Sequence, residues 1–371
     1  MKRKKITMKN INAHKPTGLG GFASKSTTLA LLASAILLAV PFSGHTKVEG
    51  KIYVVSTLTD YAAIAREIGG DKVKVDAIAE GDEDSHFVLP KPSYADKLSR
   101  ADLFLTTGLD LELWAPSVID KSQNASIREG QVGYVAVSDG ITMLEIPKVV
   151  DRGQGGVHVY GNPHIHTSPT NAKVIATNIA IGLKKVDPTN ESYYAARLKA
   201  FKHSVDERLY GKELVGLLGG KTLDRLAQSG NLISFLEGKE VGGAKLIDKL
   251  GGWMQEMLPL RGKKLVTYHK NWIYFSTLFG IDVIGEVEPK PSIPPSPGDV
   301  ERLIKNMRRL DVKVVLAANF YDENKVKMIC RSVGATPIIV PLSVEGTPKV
   351  KTYFQLVDTW VQSLRAGYGV P

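Results

Sequence analysis

Three histidines, His86, His164 and His269, are the residues whose type and placement point most directly to chemistry, because each follows or lies near the end of a predicted strand. Open α/β sheets put their ligand sites at such ends. His86 stands in Gly81-Asp82-Glu83-Asp84-Ser85-His86-Phe87, His164 in Gly161-Asn162-Pro163-His164-Ile165-His166-Thr167-Ser168-Pro169, and His269 in Thr267-Tyr268-His269-Lys270-Asn271-Trp272. Neutral imidazole is a borderline ligand that suits zinc, whereas added carboxylate would tilt a site toward manganese. Intervals this wide make no local metal motif. By spacing alone each histidine reads as a surface or hydrogen-bonded residue sooner than as a ligand, so the elements that carry the rings must decide whether they meet.

Those elements alternate short apolar runs with amphipathic stretches, the pattern of parallel sheets flanked by helices. Ile52 to Ser56, Val73 to Ile78 and Leu103 to Thr106 read as strands, with helices at Thr59 to Ile68 and Ser93 to Ser99. Asn171 to Lys185 and Asn190 to Tyr210 are helical by period, separated by Asp187-Pro188. From Gly211 to Leu260 the chain is Gly-studded and amphipathic, which predicts short helices and no sheet. A second series follows, with strands at Lys264 to Tyr268, Asp282 to Ile284, Lys313 to Ala317 and Pro337 to Val340, closed by a helix from Tyr353 to Arg365. The expected class is α/β, two lobes that are each a mostly parallel sheet flanked by helices, joined by a long helix. The expected divisions are a leader at 1–50, an N-terminal α/β lobe at 51–186, a linking helix at 187–210, a helical Gly-rich insertion at 211–262 and a C-terminal α/β lobe at 263–371. A chain of 371 residues can fill two such cores.

The leader carries Lys2-Arg3-Lys4-Lys5 with further lysines, then the apolar run Thr28 to Val40 closed by Pro41. That run is short for a bilayer span and fits a secretory signal sequence, so a periplasmic or extracytoplasmic location is expected, membrane-anchored if the leader stays uncleaved. The single cysteine, Cys330, lies far from that run, so neither an acylated cysteine there nor an intrachain disulfide is expected. The formal net charge of +10 is concentrated in the leader, where eight Lys or Arg face one acid. The remainder holds 40 basic against 37 acidic residues without a sustained basic run, which removes the main support for nucleic-acid binding.

Four ordered segments resemble the zinc and manganese binding proteins of ABC importers, the cluster that includes the zinc-uptake periplasmic protein and the streptococcal metal-binding adhesins. Asn162-Pro163-His164-Ile165-His166-Thr167-Ser168-Pro169 is similar to that family's Asp/Asn-Pro-His-x-Trp-x-x-Pro signature, and Ser85-His86-Phe87 with Lys91-Pro92-Ser93 to its first-ligand loop. Gly108-Leu109-Asp110-Leu111-Glu112-Leu113-Trp114 resembles its Gly-x-x-x-Glu-x-Trp segment, and Tyr268-His269 with Trp272, Tyr274-Phe275 and Phe279-Gly280 its third-ligand segment. The likeness runs through 51–371 apart from the Gly-studded middle.

The resemblance implies that His86, His164 and His269 bind a divalent ion, with zinc the expected cargo and manganese the alternative. It further implies a monomer without enzymatic activity that hands the ion to a membrane permease of an ABC importer. Three features depart from the pattern. His166 replaces an aromatic residue, and with His158 it reads most simply as a polar loop residue. The long His-rich acidic loop of some zinc-specific members is absent. The family's carboxylate ligand falls at Val340 or Pro341, leaving Glu345 as the substitute, Glu288 in the proline-rich run as a second choice, or a water as the fourth ligand. Protonation of the imidazoles near their reference pKa of about 6.5 is expected to weaken binding.

Two other classes remain at this stage. A secreted zinc hydrolase would use an open fourth position, but no His-Glu-x-x-His helix, nucleophile elbow or glycine-rich phosphate loop supplies its other parts. A metal-free cell-surface adhesin rests on the export signal alone.

Overall fold

In a computed structural model, residues 50–148, 158–288 and 293–371 are described. The leader reading at 1–49 and most of the proline-rich run lie outside them. Strand β1 (Ile52–Ser56) is buried at every position, the signature of a parallel strand covered on both faces. Helix α1 (Thr59–Gly69) follows and stops at Gly70, whose φ of +53° suits glycine. Then come β2 (Val73–Ala77), α2 (Pro92–Ser99), β3 (Leu103–Thr106), α3 (Ala115–Ser122) and β4 (Tyr134–Ala136). The sheet order is β2-β1-β3-β4, parallel throughout.

Helices α4 (Pro169–Val186) and α5 (Glu191–Tyr210) run next, and α5 packs on α1 and α4. The Gly-studded segment folds into α6 (Lys212–Leu218), α7 (Gly220–Gln228) and α8 (Leu232–Glu237), then a two-residue hairpin, β5 (Glu240–Val241) with β6 (Ala244–Lys245), then α9 (Gly252–Met257). That hairpin corrects the expectation of helices alone: Gly242 and Gly243 both take positive φ and close a tight turn.

The second sheet comprises β7 (Lys264–Thr267), β8 (Asp282–Glu286), β9 (Val314–Ala318) and β10 (Thr336–Val340), in the order β10-β9-β7-β8 and again parallel. Helix α10 (Ile273–Phe279) connects β7 to β8, α11 (Pro297–Leu310) leads to β9, α12 (Glu323–Val333) joins β9 to β10, and α13 (Tyr353–Gly367) closes the chain. Sequence fixes the ends of two of these. Ser296 and Asp299 form a capping box at α11, with Pro297 at the first helical position, and Thr352 and Gln355 form one at α13. No described helix is long and apolar enough to cross a membrane.

Three apolar cores result. One covers the outer face of the first sheet with Tyr94, Leu98, Phe104 and Val118, and another the outer face of the second with Val266, Met307, Val315 and Ile329. The third is continuous between the sheets and includes Ile64, Ile175, Phe201, Trp253, Trp272 and Trp360. Trp272 meets Trp360 edge-on with ring centroids 5.2 Å apart. Truncating one such buried aromatic costs about 3–5 kcal/mol. Helices α4, α5, α9 and α13 all contribute to this shared core.

Candidate metal centre

His86 sits in a short 3₁₀ turn, Ser85–Phe87, in the connection between β2 and α2. Of the acidic trio before it, Asp84 is the residue that reaches the ring: its Oδ1 accepts from the His86 backbone N–H at 3.0 Å and from His86 Nδ1 at 2.7 Å. Trp114 Nε1 donates to the Ser85 carbonyl at 2.8 Å and pins the turn from below. At the base of the same loop, a Cβ on Gly81 would lie 2.3 Å from the Val344 carbonyl, so a bare backbone is needed where this loop meets the second lobe.

His164 lies just ahead of α4, at the start of the turn Ile165–Thr167. Asn162 Oδ1 accepts from its backbone N–H at 3.0 Å and from its Nδ1 at 2.9 Å. The Asn162 amide reaches across the cleft to the Lys270 carbonyl at 2.7 Å, and Tyr274 Oη donates to the Asn162 carbonyl at 2.7 Å. The signature asparagine therefore orients one histidine while holding the residue next to another. His269 begins the turn Lys270–Trp272 that carries the chain from β7 into α10.

The three rings converge. One ligand nitrogen from each of His86, His164 and His269 can be chosen so that all lie within 4.8 Å of one another. Ring centroids are 5.1 Å apart for His86 and His164 and 5.6 Å for either ring with His269. Because Asp84 and Asn162 have acceptor oxygens at Nδ1, the neutral rings of His86 and His164 carry their proton there and present a bare Nε2. His164 Nε2 is buried with no hydrogen-bond partner among the described residues. An unpartnered lone pair in that position is costly unless a cation takes it up.

Electrostatics favour the neutral form of His164 and His269. Burial, followed by the neighbouring imidazoles, pushes His164 well below the ordinary histidine value. Burial and His86 push His269 down to about 3. Burial would raise the Asp84 carboxyl, but its hydrogen bonds and charge interaction with His86 outweigh this and hold it below the usual range. These two buried rings disfavour protons and offer neutral nitrogens, the form a metal requires.

Glu345, the substitute carboxylate, does not join the cluster and is corrected here. Its side chain pairs with Arg66 Nη1 at 3.2 Å, both groups being about two-fifths exposed, and its backbone turns with φ +65°. The turn after β10 sends it to the surface against α1. Val340 and Pro341 offer no ligand side chain, and the Pro341 carbonyl accepts from Trp360 Nε1. Glu288, the second choice, stands closer: Oε1 is 3.9 Å from His269 Nδ1.

His158 and His166 also depart from the polar-loop reading. His166 is 1% exposed, and neither ring nitrogen is hydrogen-bonded among the described residues. His158 belongs to the cluster's edge, its ring centroid 5.2 Å from that of His86 and 6.0 Å from that of His164. Its Nδ1 is held by Asp110 Oδ1 at 2.8 Å, a contact across 48 positions that no local pattern announces.

Comparison with known proteins agrees with this architecture. The family model described as zinc-uptake complex component A, periplasmic (ZnuA) matches residues 54–208 and 244–367, skipping all of α6 to α8. The manganese ABC transporter substrate-binding lipoprotein PsaA of Streptococcus pneumoniae is 30% identical over 187 residues, 49% of this chain and 57% of that protein. The chain thus aligns with little more than half of that relative. PsaA of Streptococcus anginosus is 24% identical over 309 residues, covering 82% of this chain and 84% of that one. Among solved structures, a crystal structure of ZnuA superposes with a TM-score of 0.62 at 21% identity, over 85% of this chain and 99% of the other. A manganese-bound periplasmic metal binding protein from Candidatus Liberibacter asiaticus gives 0.59 at 20% identity, over 85% and 98%. These structures share the fold. With the family model matching most of its length, the chain belongs to the ZnuA family, the metal-binding substrate-binding proteins of ABC importers.

Proposed function

We propose that this protein captures a divalent transition ion, zinc in preference to manganese, between its two lobes and delivers it to an ABC importer in the membrane. The observation that carries the reading is the convergence of His86 and His164 from the first lobe with His269 from the second, their ligand atoms within 4.8 Å of one another. Zinc is favoured because the groups facing the centre are imidazoles, while Asp84 is engaged with His86 Nδ1. The manganese named for the PsaA relatives is the competing cargo.

The protein is read as a monomeric carrier with no catalytic role, placed outside the cytoplasm by its basic and apolar leader. Transfer then depends on docking to the permease.

Calorimetry on metal-stripped protein tests this reading. One tight zinc equivalent is expected, lost when His86, His164 and His269 are replaced by alanine together, with manganese bound more weakly. Tighter manganese than zinc binding would overturn the choice of cargo. Metal-dependent turnover of esters or peptides would overturn the carrier role.

A further inference from the structure

His86 and His158 present a contradiction that a bound cation resolves. Their Nε2 atoms stand 3.2 Å apart, a hydrogen-bond distance. Yet each ring has a carboxylate at its other nitrogen, Asp84 Oδ1 at 2.7 Å from His86 Nδ1 and Asp110 Oδ1 at 2.8 Å from His158 Nδ1. A carboxylate only accepts, so each neutral ring carries its proton on Nδ1, and two lone pairs face one another. Two nitrogens bound to one tetrahedral zinc at 2.0–2.1 Å would be separated by about 3.3 Å. The observed spacing matches one edge of that tetrahedron.

We propose that His158 is a fourth imidazole ligand of the same ion, oriented by Asp110, an inference that rests on the metal-capture reading above. Asp110 is built for this role: its Oδ2 accepts from the Val159 backbone N–H at 2.8 Å while Oδ1 takes the ring, fixing main chain and side chain together. The segment that bears it begins at Gly108, whose φ is +77° and where a Cβ would meet that of Ala136 at 2.3 Å. It ends at Trp114, which holds the His86 turn through the Ser85 carbonyl. One stretch of chain therefore places both members of the pair. His158 lies on the outer side of the cluster, only 13% exposed at its side chain. A fourth imidazole beside His86 would stand in for the carboxylate that the resemblance leads one to expect, and imidazole ligands select zinc-like ions over manganese.

The test uses the full chain with His158→Ala and Asp110→Asn, folding being checked by circular dichroism. Readouts are zinc and manganese affinity by competition and the visible spectrum of the cobalt(II) form. His158→Ala should retain one zinc equivalent, bind it about 10–100-fold more weakly, narrow the zinc-to-manganese ratio and shift the cobalt bands as water replaces a nitrogen. Asp110→Asn should move all three readouts the same way by less. Unchanged affinity and cobalt bands in His158→Ala, with zinc binding still abolished by the triple alanine variant, would overturn this inference and leave metal capture standing. A low-field proton resonance in the metal-free protein that vanishes in His158→Ala without loss of zinc affinity would assign the pair to a shared proton, and also overturns it. A wild-type chain that binds no zinc, manganese or cobalt would overturn both.

Discussion

Lowering the pH of the metal-free protein from 7 to 5 should destabilise it through its buried imidazoles, and the loss can be apportioned to one residue. His269 is 2% exposed, and its pKa falls from 6.5 to about 3 in the folded chain. Between those values the unfolded chain binds a proton that the folded chain refuses, so stability falls with falling pH at about 1.4 kcal/mol per unit. From 6.5 down to 5 this amounts to about 2 kcal/mol for His269 alone, and His164 adds a loss of the same sign. Denaturant melts of wild type and His269→Gln at both pH values, in chelator, isolate the contribution, because glutamine cannot titrate. The variant should lose about 2 kcal/mol less than wild type between pH 7 and 5. Equal losses in the two proteins would refute the argument that burial holds this ring neutral. The same depression means that at His164 and His269 protons compete with a metal only below the ordinary histidine value.

Three further outcomes follow from named contacts. Asp84→Asn exchanges the carboxylate that orients His86 for an amide and should weaken zinc binding about 10–100-fold in calorimetry with the melting temperature nearly unchanged. Glu345→Ala should leave zinc affinity at the wild-type value and cost no more than about 1 kcal/mol, since its pair with Arg66 is exposed. Glu112 is 3% exposed, and its Oε1 accepts from Thr57 Oγ1, the Thr107 backbone N–H and Thr107 Oγ1. Glu112→Ala strands these donors and should destabilise by about 3 kcal/mol or more in urea melts, whereas Glu112→Gln keeps an acceptor and should cost about 1 kcal/mol.

Much of the fold was legible because local periodicity reports burial. The run Ile52-Tyr53-Val54-Val55-Ser56 forms β1 in full, and the helical periods at 171–185 and 190–210 match α4 and α5 to within two residues at each end. Strand β4, three residues long, was missed because Tyr134-Val135-Ala136 has too few positions to show a period. The hairpin at 240–245 was missed for the same reason. Histidines 86, 164 and 269 could be singled out from their flanking residues, although the expected strand-end placement holds for His269, just after β7, and not for His164, which precedes α4 instead.

What surrounds those rings was not legible. Glu345 looked near enough along the chain to supply a carboxylate, yet the turn it occupies faces Arg66 on α1. His158 looked like a loop residue, yet Asp110, 48 positions away, turns its ring onto His86. By itself the amino-acid order determined the strands, the helices and the imidazoles they carry, because backbone propensity and apolar spacing act within one element. Only the tertiary structure decided that Asp110 holds His158 against His86, that Glu345 turns away to Arg66 and how the lobes share one core, because such contacts link positions tens to hundreds of residues apart.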